Sequence, residues 1–505
     1  MSHSDESIDA LIAIFGRFQA QLDSRRWVAQ AREADADDSA HSVIAMGKLA
    51  VPMAAGWIDG SVTRGIAGPR RLLVLYPRDS RYRREADWLA LLAAAGGDHA
   101  RLVAGAVAQW QAIGGEHPEP GEDSLRAGRA LLDWVRDCRR DERVVVLLSG
   151  GASALVEWPN RRGWSDWSRA ASSTDPFRVI ADSDRVDAND CGCDVPAARR
   201  STLGRSSQES GRDPERIKRL ADGLGVWTRD HLASGASIVT LNAARRARSA
   251  IKGGGLGRRL LDAGARPEVW LVADVPVEDE AAAQVVGSAP CWVTSADDDP
   301  QARIPHRVLA SGMSLARAAT AFEPWLDVDR HRGVESERAM ILSLDDPSVD
   351  WGRSPPNTMA VAVGERPVRL PERPGRGGRV QHLALQWALD MRRDRPSGES
   401  TLLESGMQSD SRAGVTVADA RGWLILWASD GFDGSGDAAG VVLPHKPLPL
   451  TLLDAARAAL ARADSHGFWR RHAVSVGARL LSARPTATNQ MDLALFLPRR
   501  WESRG

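Results

Sequence analysis

The chain has 505 residues and 54.5 kDa, which is enough for two domains and too much for one ordinary core. Its 66 basic and 66 acidic side chains cancel, so no net field points to nucleic acid or an anionic membrane as partner. No run of about 18 apolar residues occurs and no basic segment precedes an apolar stretch near Met1, so neither a bilayer span nor a secretory leader is expected, and a cytoplasmic location is.

Ile8, Leu11, Phe15, Phe18 and Leu22 recur at helical spacing. Short apolar runs follow, each closing on a polar or glycine turn. Ser42–Met46 runs into Gly47-Lys48, Leu72–Tyr76 into Pro77, Val144–Leu148 into Ser149-Gly150-Gly151, and Val269–Val272 into Ala273-Asp274. Helical segments such as Asp87–Ala95 and Ser124–Cys138 lie between them. Continuous apolar strands alternating with helices predict an α/β fold with a mostly parallel sheet and helices on both faces. Residues of about 159–213 are rich in Ser, Arg, Asp and Gly and read as a polar, partly disordered insertion, with helix resuming over Lys218–Leu256. Asp297–Pro305 reads as an acidic loop. From about Asp329 the pattern restarts, with strands at Met340–Leu344, Met359–Val363 and Trp423–Trp427, a helix at Gln381–Met391 and a second polar insertion over 392–421. A larger domain over 1–325 and a smaller one over 326–505 are expected. Cys138, Cys191, Cys193 and Cys291 lack zinc-knuckle spacing and read as reduced thiols.

Five constellations carry chemistry. Gly47-Lys48 ends a strand and opens a helix, where free N–H groups and a cation suit an anion, although a surface lysine fits the same pattern. Ser149-Gly150-Gly151-Ala152-Ser153 sits where open α/β sheets bind ligands, or is simply a tight strand–helix turn. Arg245, Arg248 and Lys252 share helical spacing after Asn242, which fits an anion site or a solvated basic face. Gly375-Arg376-Gly377-Gly378-Arg379 resembles a phosphate cradle in which Arg379 steadies a transferring phosphoryl group, or is a linker. Asp430 and Asp433, in Ser429-Asp430-Gly431-Phe432-Asp433-Gly434, suit a proton-accepting role or Mg²⁺, or form Asp-Gly turns. There is no G-x-x-x-x-G-K-[ST] loop, no complete G-x-G-x-x-G in a strand–helix unit, no H-E-x-x-H and no G-x-S-x-G.

In their order these motifs resemble the glycerate 2-kinase family with a C-terminal MOFRL domain, relatives of which are often labelled hydroxypyruvate reductase. Gly47-Lys48-Leu49-Ala50 is similar to the family's G-K-A-A, His117-Pro118-Glu119-Pro120 to H-P-x-P, and Ser149–Leu155 to S-G-G-G-S-A-L. Ser234-Gly235-Ala236, then Asn242, Arg245, Ser249, Ile251, Lys252, Gly253 and Gly254 follow its N-x-x-R-x-x-x-S-x-I-K-G-G stretch. Asp274-Val275-Pro276 with Asp279, Gly287-Ser288-Ala289-Pro290, Gly364-Glu365, Gly377-Gly378-Arg379 with Gln381, Asp430–Gly434, and Pro485–Asn489 with Asp492 resemble later motifs in the same order.

The resemblance implies a larger Rossmann-like N-terminal domain, a smaller α/β MOFRL domain and an active site in the cleft between them. It implies ATP-dependent phosphorylation of D-glycerate to 2-phosphoglycerate, with ATP and Mg²⁺ required. Lys48 would hold substrate or phosphoryl group, Arg379 would steady transition-state charge, and Asp430 would assist the hydroxyl or the metal. Ser149, Gly150, Gly151, Ser153, Asn242, Arg245, Lys252, Asp274, Glu365 and Asn489 would line the substrate and phosphate site, with Asp433 as a metal ligand. Partners would be the small molecules D-glycerate and ATP, with no nucleic acid and no membrane; self-association stays open. Family residues are replaced at Thr240, Ala247, Arg248, Val363, Arg366, Pro367, Val380, His382 and Ser429. Those changes keep two alternatives in view: the same fold acting on another small hydroxy acid, or a catalytically inactive binding or regulatory homologue.

Overall fold

The apolar runs form two six-stranded sheets whose central strands are buried and whose edge strands are part-exposed. A computed structural model describes residues 3–39, 41–78, 109–171, 214–233, 238–276, 280–293, 303–322, 340–346, 359–391 and 422–498. The chain divides into two compact units: Ser24–Ala273 with Asp279–Leu309, and Met1–Asp23 with Asp274–Glu278 and Ala310–Gly505. Position 325/326, the domain boundary expected above, lies outside the described residues, as do Asp87–Ala95, Ser234–Ala236, Asp279 and residues 392–421.

The first sheet contains β1 (His41–Met46), β2 (Arg71–Pro77), β3 (Gln109–Gly115), β4 (Arg143–Ser149), β5 (Arg266–Val272) and β6 (His306–Ala310), in the order β3-β2-β1-β4-β5-β6. β1 runs parallel to β2 and β4, β2 to β3, and β4 to β5. This is the doubly wound Rossmann order, in which the winding reverses between β1 and β4 and opens a crevice at their carboxyl ends. Met46 pairs with Leu75 on one side and Leu148 on the other, so the turns after β1 and β4 emerge side by side. β3 escaped sequence reading because its start, Gln109-Trp110-Gln111, is polar and exposed, as an edge strand permits.

The insertion expected from about residue 159 begins instead as the helix Arg161–Ala170, capped by the Asn160 side chain, which accepts from Gly163 N. Its Trp167 is fully buried, 6.4 Å from the ring of Trp227 on the helix Pro214–Ala233. A tryptophan that a polar composition conceals therefore packs this helix onto Pro214–Ala233; residues 172–213 lie outside the description. The helix expected over Lys218–Leu256 is also broken. Ile238–Arg248 ends before a turn at 249–254, and Gly255–Asp262 begins a new helix.

The second sheet contains β7 (Met340–Ser343), β8 (Ala360–Gly364), β9 (Gly422–Ala428), β10 (Ala438–Pro444), β11 (Arg479–Ser482) and β12 (Asp492–Pro498), in the order β11-β10-β9-β12-β8-β7. Only the β7–β8 pairing among these is parallel. Leu424, Leu426 and Ala428 of β9 share a core with Ala384, Trp387, Phe468 and Trp469 from helices on one face. Trp427 points the other way and meets Phe15 of the N-terminal helix His3–Gln19 edge-on at 5.4 Å.

Close backbone approach sets tolerances in the first unit. A Cβ on Gly56 of the helix Ala50–Thr63 would stand 2.1 Å from the carbonyl oxygen of Arg25. Gly56→Ala is therefore expected to force the helix Ser24–Glu33 outward and to cost about 1–3 kcal/mol. Chemical denaturation of the variant checks this, and an unchanged midpoint would show that the approach is looser than described.

Candidate functional site

In the first unit the site is built on glycine at the switch point. Gly47 has φ +118°, and a Cβ there would lie 2.3 Å from Ser149 Oγ. Only glycine therefore lets the turn after β1 rest on the turn after β4. Lys48 N donates to Gly150 O at 2.8 Å and Leu49 N to Ser149 Oγ at 3.0 Å. Ser149 is fully buried and serves as this fastening. Lys48 is half-buried, and its stem lies along Gly151, where a Cβ would be 2.9 Å from Lys48 Cγ and 3.3 Å from the ring of His117. Lys48, Gly151 (φ +84°) and His117 thus form one cluster at the carboxyl ends of β1, β4 and β3.

Beside it, Ser153 Oγ lies 2.8 Å from Ser288 Oγ, which donates to Asn242 Oδ1 at 3.3 Å. Ser288 and Ala289 both hold left-handed φ near 60°, and their carbonyl oxygens accept from Gly253 N and Gly254 N. Those glycine amides are therefore spent on the protein's own backbone.

Arg245, Arg248 and Lys252 do not form one basic face, because the helix ends at Arg248. Arg248 is buried and donates to Asp166 Oδ2 at 2.8 Å. Lys252 is buried and its Nζ donates to Glu157 Oε2 and, at 3.3 Å, to Val156 O. Glu157 Oε1 accepts from Ser249 Oγ at 2.5 Å and Trp158 N at 2.9 Å. Burial lowers the Lys252 pKa against the opposing pull of Glu157. Burial likewise lowers that of half-buried Arg245, again opposed by Glu157. Lys252 is thus committed to a buried ion pair, and of the three only Arg245 is part-exposed.

In the second unit the antiparallel register brings Asp492, the first residue of β12, level with Gly364 at the end of β8 and Ala428 at the end of β9. Glu365 and Asp430 follow those strand ends. Arg379, the first residue of the helix Arg379–Asp390, donates from Nε to Asp492 Oδ2 at 3.0 Å, and its Nη2 lies 3.0 Å from Glu365 Oε1. Burial opposes its charge, but Asp492, Glu365 and Asp430 overcome that and raise its pKa. Asp492 is pushed up to about 7 by burial, with Arg379 opposing and Glu365 and Asp433 adding to the rise.

The Gly375–Arg379 turn is not an open phosphate cradle. Asp433 is buried, and its two oxygens accept from Val380 N, Gln381 N and Gln381 Nε2 at 2.8–3.0 Å. It caps the helix where a phosphate was expected, and this replaces the metal-ligand role suggested by sequence. Burial still raises its pKa against those amides. Gly377 N is taken by Ser435 Oγ at 3.3 Å. Asp430 is half-buried and accepts from Phe432 N at 3.1 Å. Asn489 is buried with Nδ2 lacking a hydrogen bond, beside Gln490, whose N–H donates to Ser429 Oγ. Asp274 is half-buried just past β5.

Sequence reading assigned no role to His117, Glu157, Ser288 or Asp492. Three of them sit in quoted motifs, so a signal existed. Glu157 had none except its position after the apolar run Ala154-Leu155-Val156.

Lys252→Met would leave Glu157 buried without its countercharge and is expected to cost about 3–5 kcal/mol, most of it recovered when Glu157→Gln is added. Equilibrium unfolding of both variants decides it. Asp492 gives a second expectation. Its folded pKa of about 7 exceeds the ordinary 3.8, so the folded state binds this proton more tightly and stability is lost as pH rises through 7. The decline in unfolding temperature between pH 5 and 8 should be shallower in Asp492→Asn than in the parent chain.

Two family models match the sequence: DUF4147, a domain of unknown function, over residues 12–163 and 221–317, and the MOFRL family over 358–492. A putative hydroxypyruvate reductase of Agrobacterium vitis is 25% identical over 425 residues, 76% of this chain and 87% of that protein. An uncharacterised protein of Caenorhabditis elegans is 33% identical over 135 residues, 26% of this chain and 24% of its own length, so this match spans about a quarter of that relative. Among solved structures, a glycerate kinase of Thermotoga maritima matches 98% of this chain and 100% of its own at TM-score 0.55 and 19% identity. A Pyrococcus horikoshii protein matches 96% and 97% at TM-score 0.52 and 16% identity. At such identities the likeness is one of fold. No helix among the described residues is long and apolar enough to cross a membrane.

Proposed function

This chain belongs to the glycerate kinase family that carries a MOFRL domain, and on that premise we propose that it transfers the γ-phosphoryl group of Mg-ATP to the 2-hydroxyl of D-glycerate. The observation that carries this reading is the interlocked pair of turns after β1 and β4, which presents Lys48 at the switch point. A half-buried lysine on a glycine-lined strand end suits an anionic ligand. Phosphoryl transfer asks mainly for positioning and charge neutralisation, which such a site supplies.

In the proposed reaction the 2-hydroxyl oxygen bonds to the γ-phosphorus as the bond to the β–γ bridging oxygen breaks, and ADP leaves. The hydroxyl proton passes to the Asp430 carboxylate and on to solvent. Lys48 neutralises phosphoryl charge, and Arg379 meets the charge that builds in the transition state. Arg245, one turn after Asn242 on the same helix, and Ser153, linked to Asn242 through Ser288, would offer a cation and hydroxyl and amide groups for the glycerate carboxylate. Mg²⁺ enters with the nucleotide as part of the substrate. Among the described residues no three His, Cys, Asp or Glu side chains are grouped to hold a metal ion.

The name of the Agrobacterium relative raises a reductase reading. The turn after β1 carries Gly47-Lys48 and not the glycine-rich dinucleotide fingerprint, which favours the kinase.

Purified protein with Mg-ATP and D-glycerate should release ADP and yield 2-phosphoglycerate. Lys48→Ala and Arg379→Ala should each lower turnover by about 100-fold or more. Folded protein that oxidises NADH with hydroxypyruvate and releases no ADP would sink the proposal in favour of the reductase.

A further inference from the structure

Arg379 is held by two carboxylates whose surroundings differ. Its Nε donates to Asp492, and its Nη2 lies against Glu365, each at 3.0 Å. The Asp492 side chain is 7% exposed and fixed by the strand register between β8 and β9. The Glu365 side chain is 38% exposed and stands on the turn that follows β8. The backbone of Glu365 is pinned separately, because its N–H donates to Asp345 Oδ1 at 2.9 Å. Its side chain is therefore able to swing into water without moving the strand end.

Arg379 is surrounded by more negative charge than it carries. Glu365, Asp492 and Asp430 all act on one guanidinium. An arriving phosphate would add to that excess, so one carboxylate has to give way. Breaking a buried charge pair is costly, whereas an exposed ion pair contributes little and is readily exchanged for water. A guanidinium also binds phosphate through paired N–H groups on one edge, and Glu365 occupies part of such an edge.

We propose that Glu365 is a place-holder for the phosphate oxygen that Arg379 is built to receive, while Asp492 is the fixed support that aims the guanidinium. The free site then stays compensated until an anion displaces Glu365. Asp492 is a positioning residue, acting through Arg379. The proposal rests on the reading of Arg379 as a cation of phosphoryl transfer, and its test does not require turnover.

Equilibrium binding of inorganic phosphate and of Mg-ATP, measured by calorimetry without acceptor, separates the two duties. A purely electrostatic account makes binding tighter in both Glu365→Gln and Asp492→Asn, since each removes a negative charge. The place-holder account gives opposite signs. Glu365→Gln should tighten Mg-ATP binding by about three- to tenfold, the worth of an exposed competitor. Asp492→Asn should weaken it, and Asp492→Glu should recover part of the loss. Tightening in both variants, no change in Glu365→Gln, or no binding of either probe by the parent chain overturns the proposal. Should Asp492→Asn not fold, the exposed Glu365→Gln still decides the place-holder. Opposite signs in a protein that phosphorylates no glycerate would leave the place-holder standing and remove the glycerate reading.

Discussion

The site in the first unit depends on one steric permission. At Gly47 a side chain of any size would overlap Ser149, and the turns after β1 and β4 could not touch. With glycine there, the Ser149 hydroxyl and the Gly150 carbonyl take up the amides of Leu49 and Lys48. A helix start normally leaves several N–H groups without partners. Here two of the amides around that start are satisfied by the neighbouring turn, so the backbone is fixed before any ligand arrives. Lys48 is consequently presented from a rigid base, and its stem lies along Gly151. Fixing the base lowers the ordering cost that a flexible loop would incur on binding an anion.

Charge is handled in two ways in this protein. Lys252 and Glu157 form a closed pair, each at most 2% exposed, with every oxygen of the carboxylate accepting a hydrogen bond. Such a pair contributes little net stability but is expensive to split, so it locks the turn at 249–254 against the end of the short helix Ala152–Leu155. Arg379 is an open arrangement, part-exposed and over-compensated by carboxylates. The closed pair fixes shape, and the open one leaves a cation able to exchange partners.

Much of this was legible in the sequence, for identifiable reasons. The strands β1, β2, β4, β5, β8 and β9 are continuous apolar runs, which announce a buried sheet whatever surrounds them. Gly47, Gly150 and Gly151 stood out because paired glycines at strand ends have few uses. The helix Arg161–Ala170 was hidden because its burial rests on Trp167 and Gly163 among charged residues, and composition averages those away. Lys252 looked like a ligand because a lysine beside glycines invites that reading. Its partner Glu157 is 95 residues distant in sequence, and only the fold brings the two together. The same holds for Asp433: an Asp-Gly turn and a glycine-rich turn each resemble half of a phosphate site, yet here they satisfy each other. Gly378 is the contact point, since a Cβ there would meet Asp433 Oδ1 at 2.2 Å.

The edge-on contact of Phe15 with Trp427 ties the first helix of the chain to a central strand of the second sheet. During synthesis that helix leaves the ribosome long before its partner strand β9 does. Until then its apolar stripe of Ile8, Leu11, Phe15 and Phe18, buried in the finished protein, has no sheet to cover. Loop closure over so long a separation costs only slightly more than over a short one, so the delay is a matter of timing and not of stability. The helix His3–Gln19 therefore waits for β9 with its stripe uncovered by that strand, and a protein cut short before β9 would leave the stripe as an adhesive surface.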